Sequence, residues 1–474
     1  MTQGNRVANR EEIVAAVRAA GVTTGDGTPG HVALGRPADT VIANACECEP
    51  LVFSARHLLL HHAAEVVEGL RLAMEAAGAR RGVVAFTDTR FGLEAASRAA
   101  AAGQPGIEVF KAPDFYPVGE DYIITYEATG RTVPSAGSTG SVGVSVFSVE
   151  TLFDVCMALR GKPVTHRSVS VCGEVARPAV FRIPVGASLA DVLQQAGGVT
   201  AGRFRVLMGG PISGPLAEDL AEPVTKRTAA LLVLPTHHIQ VQKRARSLSM
   251  MLLRARSVCL ECRDCTDSCA RYLVGQEIEP HRIMRAICYS LDSLNTSITS
   301  AVHCNECGIC DSYVCKMGIS PRVICREIKA HLAAMGWQRP QSESPASVRE
   351  SYASNHLSLE ALTARLGVGK YVEALDVERM LNTAASMDES RLRGLNLPLL
   401  QHAGAPAAAC VGVGDNVAPD QLIGEIPADH VGARVHAGLG GVVGAVGECV
   451  EILGPSAARI GQPLDPSSVQ ACKT

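Results

Sequence analysis

No apolar run in this sequence approaches the roughly 18 residues that a membrane-spanning helix needs, so no transmembrane segment is expected. Charge of one sign is missing too: 44 Lys and Arg against 47 Asp and Glu leave a formal net charge of −3. That balance supplies no face-sized basic excess, which argues against a nucleic-acid partner. The N-terminus carries polar Thr2, Gln3 and Asn5 where a secretory signal would place an apolar core, so export is not expected. Aromatic residues are scarce, at 4%. Cysteine breaks the pattern of shortages. Seventeen cysteines in an unsecreted chain mean reduced thiols and metal, which fits a reducing cytoplasm. At 474 residues the chain is too long for one core, and three or four domains are expected.

Eight of the cysteines fall into two quartets. The first reads Cys259-x2-Cys262-x2-Cys265-x3-Cys269, and the second Cys304-x2-Cys307-x2-Cys310-x4-Cys315. Three cysteines at a two-residue step wrap one corner of an iron–sulfur cube, and the fourth approaches from farther along the chain. In two-cluster ferredoxins that fourth cysteine ligates the other cluster. By that logic Cys259, Cys262, Cys265 and Cys315 hold one [4Fe–4S] cluster, and Cys304, Cys307, Cys310 and Cys269 the other. A pair of zinc sites is the alternative, but zinc usually takes two C-x2-C knuckles, which leaves each third cysteine surplus. Disulfides belong to short secreted domains. The proline that usually follows the last cysteine is replaced by Ala270 and Lys316, which removes no ligand. His281 and His303 are expected as hydrogen-bonding neighbours of the ligands, and Cys288 and Cys325 as core.

Ahead of the quartets the chain alternates helix and strand. Residues 11–20 have helical spacing, with Asn9 as cap and Gly21 as stop. A glycine-dense loop follows over 22–31. Apolar runs at 40–44, 82–87 and 107–110, separated by helical stretches at about 56–78 and 92–102, give an α/β layout with a parallel sheet. A glycine loop beside strand ends is where such sheets bind nucleotides or flavins, although this one is not GxGxxG. Cys46 and Cys48 are expected to be small buried residues in a turn.

Asn44-Ala45-Cys46-Glu47-Cys48-Glu49-Pro50 resembles the N-x-x-E-C-E-P motif of the RnfC and PduS proteins, relatives of the flavin-bearing, NADH-oxidising subunit of respiratory complex I. Tyr116-Pro117-Val118-Gly119-Glu120, Thr129-Gly130-Arg131 and Val149-Glu150-Thr151-Leu152 match further family segments. The family's G-G-A-G-F-P-T-H-V-K-L loop, which holds FMN, falls on Thr24 to Leu34. Gly25, Gly27, Pro29, His31, Val32 and Leu34 agree, whereas Thr24, Asp26, Thr28, Gly30 and Ala33 depart. Asp26 would oppose a phosphate, and Ala33 removes the lysine that would balance it. The resemblance implies cofactor-binding roles for Gly25, Gly27, Pro29, Asn44, Glu47, Glu49, Glu150 and Thr151. Thr266 to Gly275, Cys304 to Cys310 and Met317 to Arg322 also resemble PduS segments.

Residues 168–235 contain a hairpin and a helix capped by Ser188, and resemble the SLBB, or β-grasp, module of the family. Residues 240–257 read as one amphipathic basic helix whose Lys243, Arg244, Arg246, Arg254 and Arg256 form a solvated face. Residues 338–356 read as a surface connector, with helices to about 392. The last unit alternates short β-branched runs with glycine turns and resembles a barrel-sandwich hybrid. Its His436-to-Gly441 tip lacks the lysine a swinging-arm carrier needs. RnfC proteins carry this module first and PduS proteins carry it last, as here.

The expected fold is therefore multidomain α/β plus β. It comprises a flavin-subunit-like α/β domain at 1–160, an SLBB domain at 166–240, a helical two-[4Fe–4S] ferredoxin-like domain at 241–335, a linker with helices at 336–392, and a barrel-sandwich hybrid at 393–455. The resemblance implies an oxidoreductase that uses NADH, FMN and two [4Fe–4S] clusters to reduce cobalamin. The alternatives are an RnfC-like relay to another acceptor, such as a glycyl-radical-enzyme activase, and a non-catalytic assembly adaptor. Implied partners are a redox partner or corrinoid enzyme and microcompartment shell proteins, in an oligomer or complex within the cytoplasm.

Overall fold

The computed structural model describes residues 8–87, 92–291, 294–338, 344, 346–383 and 385–454. Thr2, Gln3 and Asn5, part of the 338–356 stretch, and residue 455 lie outside these. Among the described residues no helix is long and apolar enough to cross a membrane.

The first unit is built on four parallel strands, β1 (Thr40–Asn44), β2 (Arg81–Phe86), β3 (Ile107–Lys111) and β4 (Val144–Ser148), in the order β3-β2-β1-β4. Thr40 of β1 lies opposite Arg81 on one side and Val144 on the other. Val41, Ile42 and Ala43 are fully buried, which is why β1 reads as an unbroken apolar run rather than an alternating one. The chain steps outward from β1 to β3 and then returns to the far side of β1. That reversal opens a crevice at the carboxyl ends of β1 and β4, the usual ligand position in an open α/β sheet.

The first helix, Arg10–Ala20, opens on a capping box between Asn9 and Glu12 and stops on Gly21 at φ 68°. The helix expected over 56–78 is two helices, Ser54–His61 and Ala63–Ala77, broken at His62. The two halves serve different surfaces. The first approaches the second unit, where the Phe53 N–H meets the Ser170 hydroxyl at 2.9 Å. The second presses on the Val149–Leu159 helix, so closely that a Cβ on Gly69 would stand 1.9 Å from the Leu152 carbonyl oxygen.

The second unit pairs β5 (His166–Gly173) with β6 (Ala179–Pro184), and adds β7 (Phe204–Met208), β8 (Ala230–Pro235) and the late β9 (Ala385–Ser386) in the order β7-β8-β5-β6-β9. Ser188 caps its Leu189–Gln195 helix by accepting from the Asp191 N–H. β9 comes from the linker and closes the β6 edge. The last unit is two small antiparallel sheets, with Gly394–Pro398 paired to Cys449–Leu453. Its Leu395, Leu397, Val435 and Val450 share one core with Val169, Val171 and Leu231 of the second unit. Two β modules too small for a large core of their own thus pool their apolar surface. The His436 tip packs inward: a Cβ on Gly438 would meet the Thr165 carbonyl and the Pro184 ring.

The stretch 338–356 is not simply a surface connector. Tyr352 is buried, lies edge-on to Phe115 and Tyr126, and donates its hydroxyl to Glu127 at 2.6 Å. His356 stacks on Phe115 with ring centroids 3.7 Å apart. An aromatic in a polar segment finds a slot in the first unit and straps the chain across it. The basic helix is also corrected. It is two helices, Ile239–Arg244 and Leu248–Val258, the second capped by Ser247. Four of its cations are spent on backbone carbonyls rather than solvated. Arg244 donates to Pro211, Ile212 and Gly214, Lys243 to Asp311 and Ser312, Arg246 to Gly318 and Arg254 to Met317. Burial lowers the Arg244 guanidinium to about 10.

Candidate redox centre

Each cysteine quartet is wound by the same backbone device. Glu261 and Arg263 flank Cys262 at φ 51° and 69°, and Glu306 and Gly308 flank Cys307 at 62° and 78°. Alternating left-handed residues curl the chain around the central cysteine of each quartet. Three of these four residues are not glycine, a strain that is kept where a site requires it. After the third cysteine the quartets differ by one residue. The first runs through a short helix, Asp264–Asp267, to Cys269, and the second through a π-helical turn, Ile309–Val314, to Cys315. The wider turn absorbs the extra residue and leaves the fourth cysteine in the equivalent place.

Thiols of the two quartets lie within electrostatic reach of one another. Cys265 is acted on by Cys262, Cys315, Cys259 and Cys269. Cys269 faces Cys304, and Cys310 faces Cys304, Cys307 and Cys269. Burial first, and the neighbouring thiols second, push Cys265 up to about 12 and Cys307 well above the ordinary range, while burial, then the Asp311 carboxylate, then the thiols raise Cys310 in the same way. Burial also pushes Cys269 up to about 11. Thiolates crowded in this way need a cationic core between them. Among the described residues no three His, Cys, Asp or Glu side chains converge on a point where a single ion would sit. A tetrahedral zinc would hold four sulfurs about 2.3 Å from one centre, whereas a cubane takes one thiolate at each of four separated irons. Each quartet offers four free thiols, the donor type and number that a cubane takes.

The surroundings of the two groups differ. Cys262 is exposed, and its neighbour Leu260 is 67% exposed. The four cysteines of the second group are all half-buried. Arg322 pairs with Asp311 at 3.1 Å, and Lys329 donates to the Cys304 carbonyl at 3.1 Å. The N–H of Glu306 points at the Cys304 sulfur and that of Ile319 at the Cys315 sulfur, both at 3.4 Å. Cys325 is buried in the core, as expected, and its thiol acts on that of Cys304, so a fifth thiol stands beside the second group. Its place in the helix Pro321–Ala334, outside both spacing patterns, gave no sequence signal. His281 is held by Thr266, with Nδ1 2.7 Å from the hydroxyl, and His303 approaches Ser135 at 3.4 Å.

The first unit touches the second group directly. The Tyr116 hydroxyl donates to the Cys307 carbonyl at 2.5 Å, and Glu49, Cys48 and Arg322 all act on that phenol. The Asn44–Pro50 turn therefore lies next to the second group. Most of its polar side chains are occupied. Asn44 donates to the Gly119 carbonyl at 2.8 Å and accepts the Cys46 N–H at 3.0 Å. Glu47 caps the Ser54–His61 helix, accepting from the N–H groups of Ala55 at 2.7 Å and Arg56 at 3.0 Å. Glu49 accepts from Ile212 at 2.9 Å and Ser213 at 3.2 Å, and so latches the second unit. Glu150 faces Arg167 at 3.4 Å and accepts the Ser168 N–H. Burial raises its carboxyl, while Arg167 opposes that rise.

Of the expected cofactor residues, Gly25, Gly27, Pro29 and Thr151 come together. The Thr151 hydroxyl, at the start of the helix after β4, donates to the Thr23 carbonyl at 3.3 Å, and Pro29 bridges back to Thr23. This pins the glycine loop over the crevice. Nothing lies within 4 Å of where a Cβ on Gly25 would stand, whereas Gly27, at φ 92°, gives its carbonyl to the Ala403 N–H at 2.8 Å. An open glycine at a sheet's switch point suits a flavin phosphate, and at Gly25 the loop fits one.

Four family models match the chain: the Nuo51 FMN-binding domain over 17–157, the SLBB domain over 168–215, a 4Fe-4S dicluster domain over 258–320 and the RnfC barrel sandwich hybrid domain over 383–460. Cobalamin reductase PduS of Salmonella typhimurium is 39% identical over 447 residues, 92% of this chain and 95% of that protein. Cobalamin reductase PduS of Citrobacter freundii is 36% identical over 94% of this chain and 97% of that protein. The chain belongs to the PduS family. One component of an ion-translocating oxidoreductase complex, from Erwinia tasmaniensis, is 31% identical over 58% of this chain and 34% of its own length. Like its PduS relatives this chain is an iron–sulfur electron-transfer oxidoreductase. Its domains run from a flavin-subunit-like α/β domain through SLBB and dicluster domains to a barrel-sandwich hybrid. The expected fold class and family stand.

Proposed function

We propose that this protein is a cobalamin reductase that takes electrons from NADH and delivers them to the cobalt of a corrinoid. The observation that carries the reading is the bond from the Tyr116 hydroxyl to the Cys307 carbonyl, which sets the flavin-type unit against the second thiol group in a chain of the PduS family. Cys259, Cys262, Cys265 and Cys315 would hold one [4Fe–4S] cluster, Cys269, Cys304, Cys307 and Cys310 the other, and Gly25, Gly27, Pro29 and Thr151 an FMN. A flavin exchanges a hydride pair for single electrons, and iron–sulfur clusters carry them singly.

The protein's own residues shape the path. Arg322 and Lys329 place positive charge beside the second group, and Cys307 packs against the core that holds Ile309 and Leu273. The exposed Cys262 marks the surface at which an acceptor approaches. Glu47 and Glu49 act as fasteners of the turn and of the SLBB domain rather than as cofactor ligands. The resemblance to PduS proteins would place the protein beside a corrinoid enzyme inside a bacterial microcompartment, in contact with its shell proteins.

The test uses anaerobically isolated full-length protein loaded with iron, sulfide and FMN. NADH should bleach the broad cluster absorbance and convert cob(II)alamin to the cob(I) state. Bleaching by dithionite but not by NADH would remove the NADH entry. Bleaching by NADH that leaves cob(II)alamin untouched would remove the corrinoid.

A further inference from the structure

The glycine loop carries a carboxylate where a phosphate is to be held, and a guanidinium from another domain lies against the backbone of the loop. Asp26 is fastened within the loop. It accepts the Thr28 N–H at 3.0 Å, the Thr28 hydroxyl at 2.9 Å, and the Thr24 hydroxyl. Burial works to raise its carboxyl, but these hydrogen bonds and the nearby Arg227 outweigh that and hold it below the ordinary carboxylate range. Asp26 is an anion at neutral pH. Left alone it would repel a dianionic phosphate, and Ala33 supplies no charge to answer it.

Arg227 sits in the loop that leads into β8 of the SLBB domain. Its Nε approaches the Gly25 carbonyl at 3.4 Å, and its Cδ and Nε stand 3.6 Å from where a Cβ on Gly27 would be. This is an anchored position. The neighbouring Lys226 is buried, with its Nζ donating to the carbonyls of Gly21 at 2.6 Å and Arg434 at 2.7 Å. The Lys226 N–H donates to Gln401 at 2.9 Å. Three domains therefore fix the backbone from which Arg227 reaches the loop.

We propose that Arg227 neutralises Asp26 and is the cation that lets the Gly25–Gly27 loop accept the phosphate of FMN. The proposal rests on the flavin reading of that loop and adds a residue from outside the flavin domain. It makes the site complete only while the SLBB domain is docked. Both side chains are exposed, so the effect is salt-sensitive.

FMN and riboflavin differ by the phosphate alone, and quenching of flavin fluorescence reads the affinity of each for the full-length, cluster-loaded protein. Wild type should prefer FMN. Arg227→Gln should weaken FMN about fivefold and leave riboflavin unchanged. Asp26→Asn keeps an acceptor for the Thr28 N–H and should tighten FMN. The double variant should return close to wild type. Equal losses of FMN and riboflavin in Arg227→Gln would reduce Arg227 to packing and overturn the proposal. An unchanged FMN-to-riboflavin ratio in all three variants would overturn it while leaving the flavin site standing. Wild-type protein that binds neither flavin would overturn both the proposal and the reading beneath it.

Discussion

His57 shows how a single buried side chain can set a pH limit. It is 7% exposed, neither ring nitrogen has a hydrogen-bond partner, and its ring lies 4.5 Å from that of His61. Burial first, then His61 and His62, lowers it to about 4. An unfolded histidine titrates near 6.5. The unfolded chain therefore takes its proton first as pH falls, and stability that is complete above pH 6.5 drains away toward pH 4. His436, also lowered to about 4 by burial, acts in the same direction. His57→Phe should fall off less steeply than wild type in urea melts between pH 7 and pH 5. Parallel slopes would contradict this. At the same scale, the sequence marked the eight cysteines because cluster geometry forces their spacing. It did not mark Cys325 or Arg227, whose roles depend on contacts across the fold.

Among the elements, the Ser54–His61 helix depends on a residue expected to hold a cofactor. Glu47 accepts the Ala55 and Arg56 N–H groups and the Ser54 hydroxyl, and Arg56 returns a bond to the Glu47 carbonyl at 2.8 Å. Glu47→Ala should cost about 1–3 kcal/mol, by loss of the cap and of buried hydrogen bonds. A thermal melt checks it, and an unchanged melting temperature with weakened FMN binding would restore the ligand role. The resemblance located the Asn44–Pro50 turn correctly but could not say which of its side chains face inward. Strands β1 and β2 were legible because strands buried on both faces read as apolar runs, and the edge strand β3 because Ile107, Val109 and Phe110 form a short apolar run although they are only half-buried. β4 follows a stretch rich in glycine and serine, and its Val144, Val146 and Phe147 are too few to announce it. β9 is two residues long and exists only because β6 offers it an edge. The break at His62 has no glycine or proline to mark it, since it answers to the two surfaces that the helices meet.

At the scale of the whole molecule, the domains share cores instead of hanging on linkers. One apolar cluster joins Phe115 and Val118 of the flavin-type unit, Leu232 of the SLBB unit, Leu273 and Ile309 beside the thiols, and Leu362 and Leu381 of the linker helices. The order of domains was readable from motifs, but their docking was not, because Arg244, Glu49 and Tyr116 each bond backbone groups far away in sequence. The proposed electron path rests on the expected crosswise pairing of the two quartets. EPR of dithionite-reduced protein, with iron counted on the same samples, tests that pairing most directly. Wild type should hold about eight iron per chain in two [4Fe–4S] clusters. Cys269→Ser should disturb the same signal as Cys307→Ser, and Cys315→Ser the same signal as Cys262→Ser. Should Cys269→Ser disturb the Cys262 signal instead, each quartet would hold its own cluster and the crosswise pairing would be wrong.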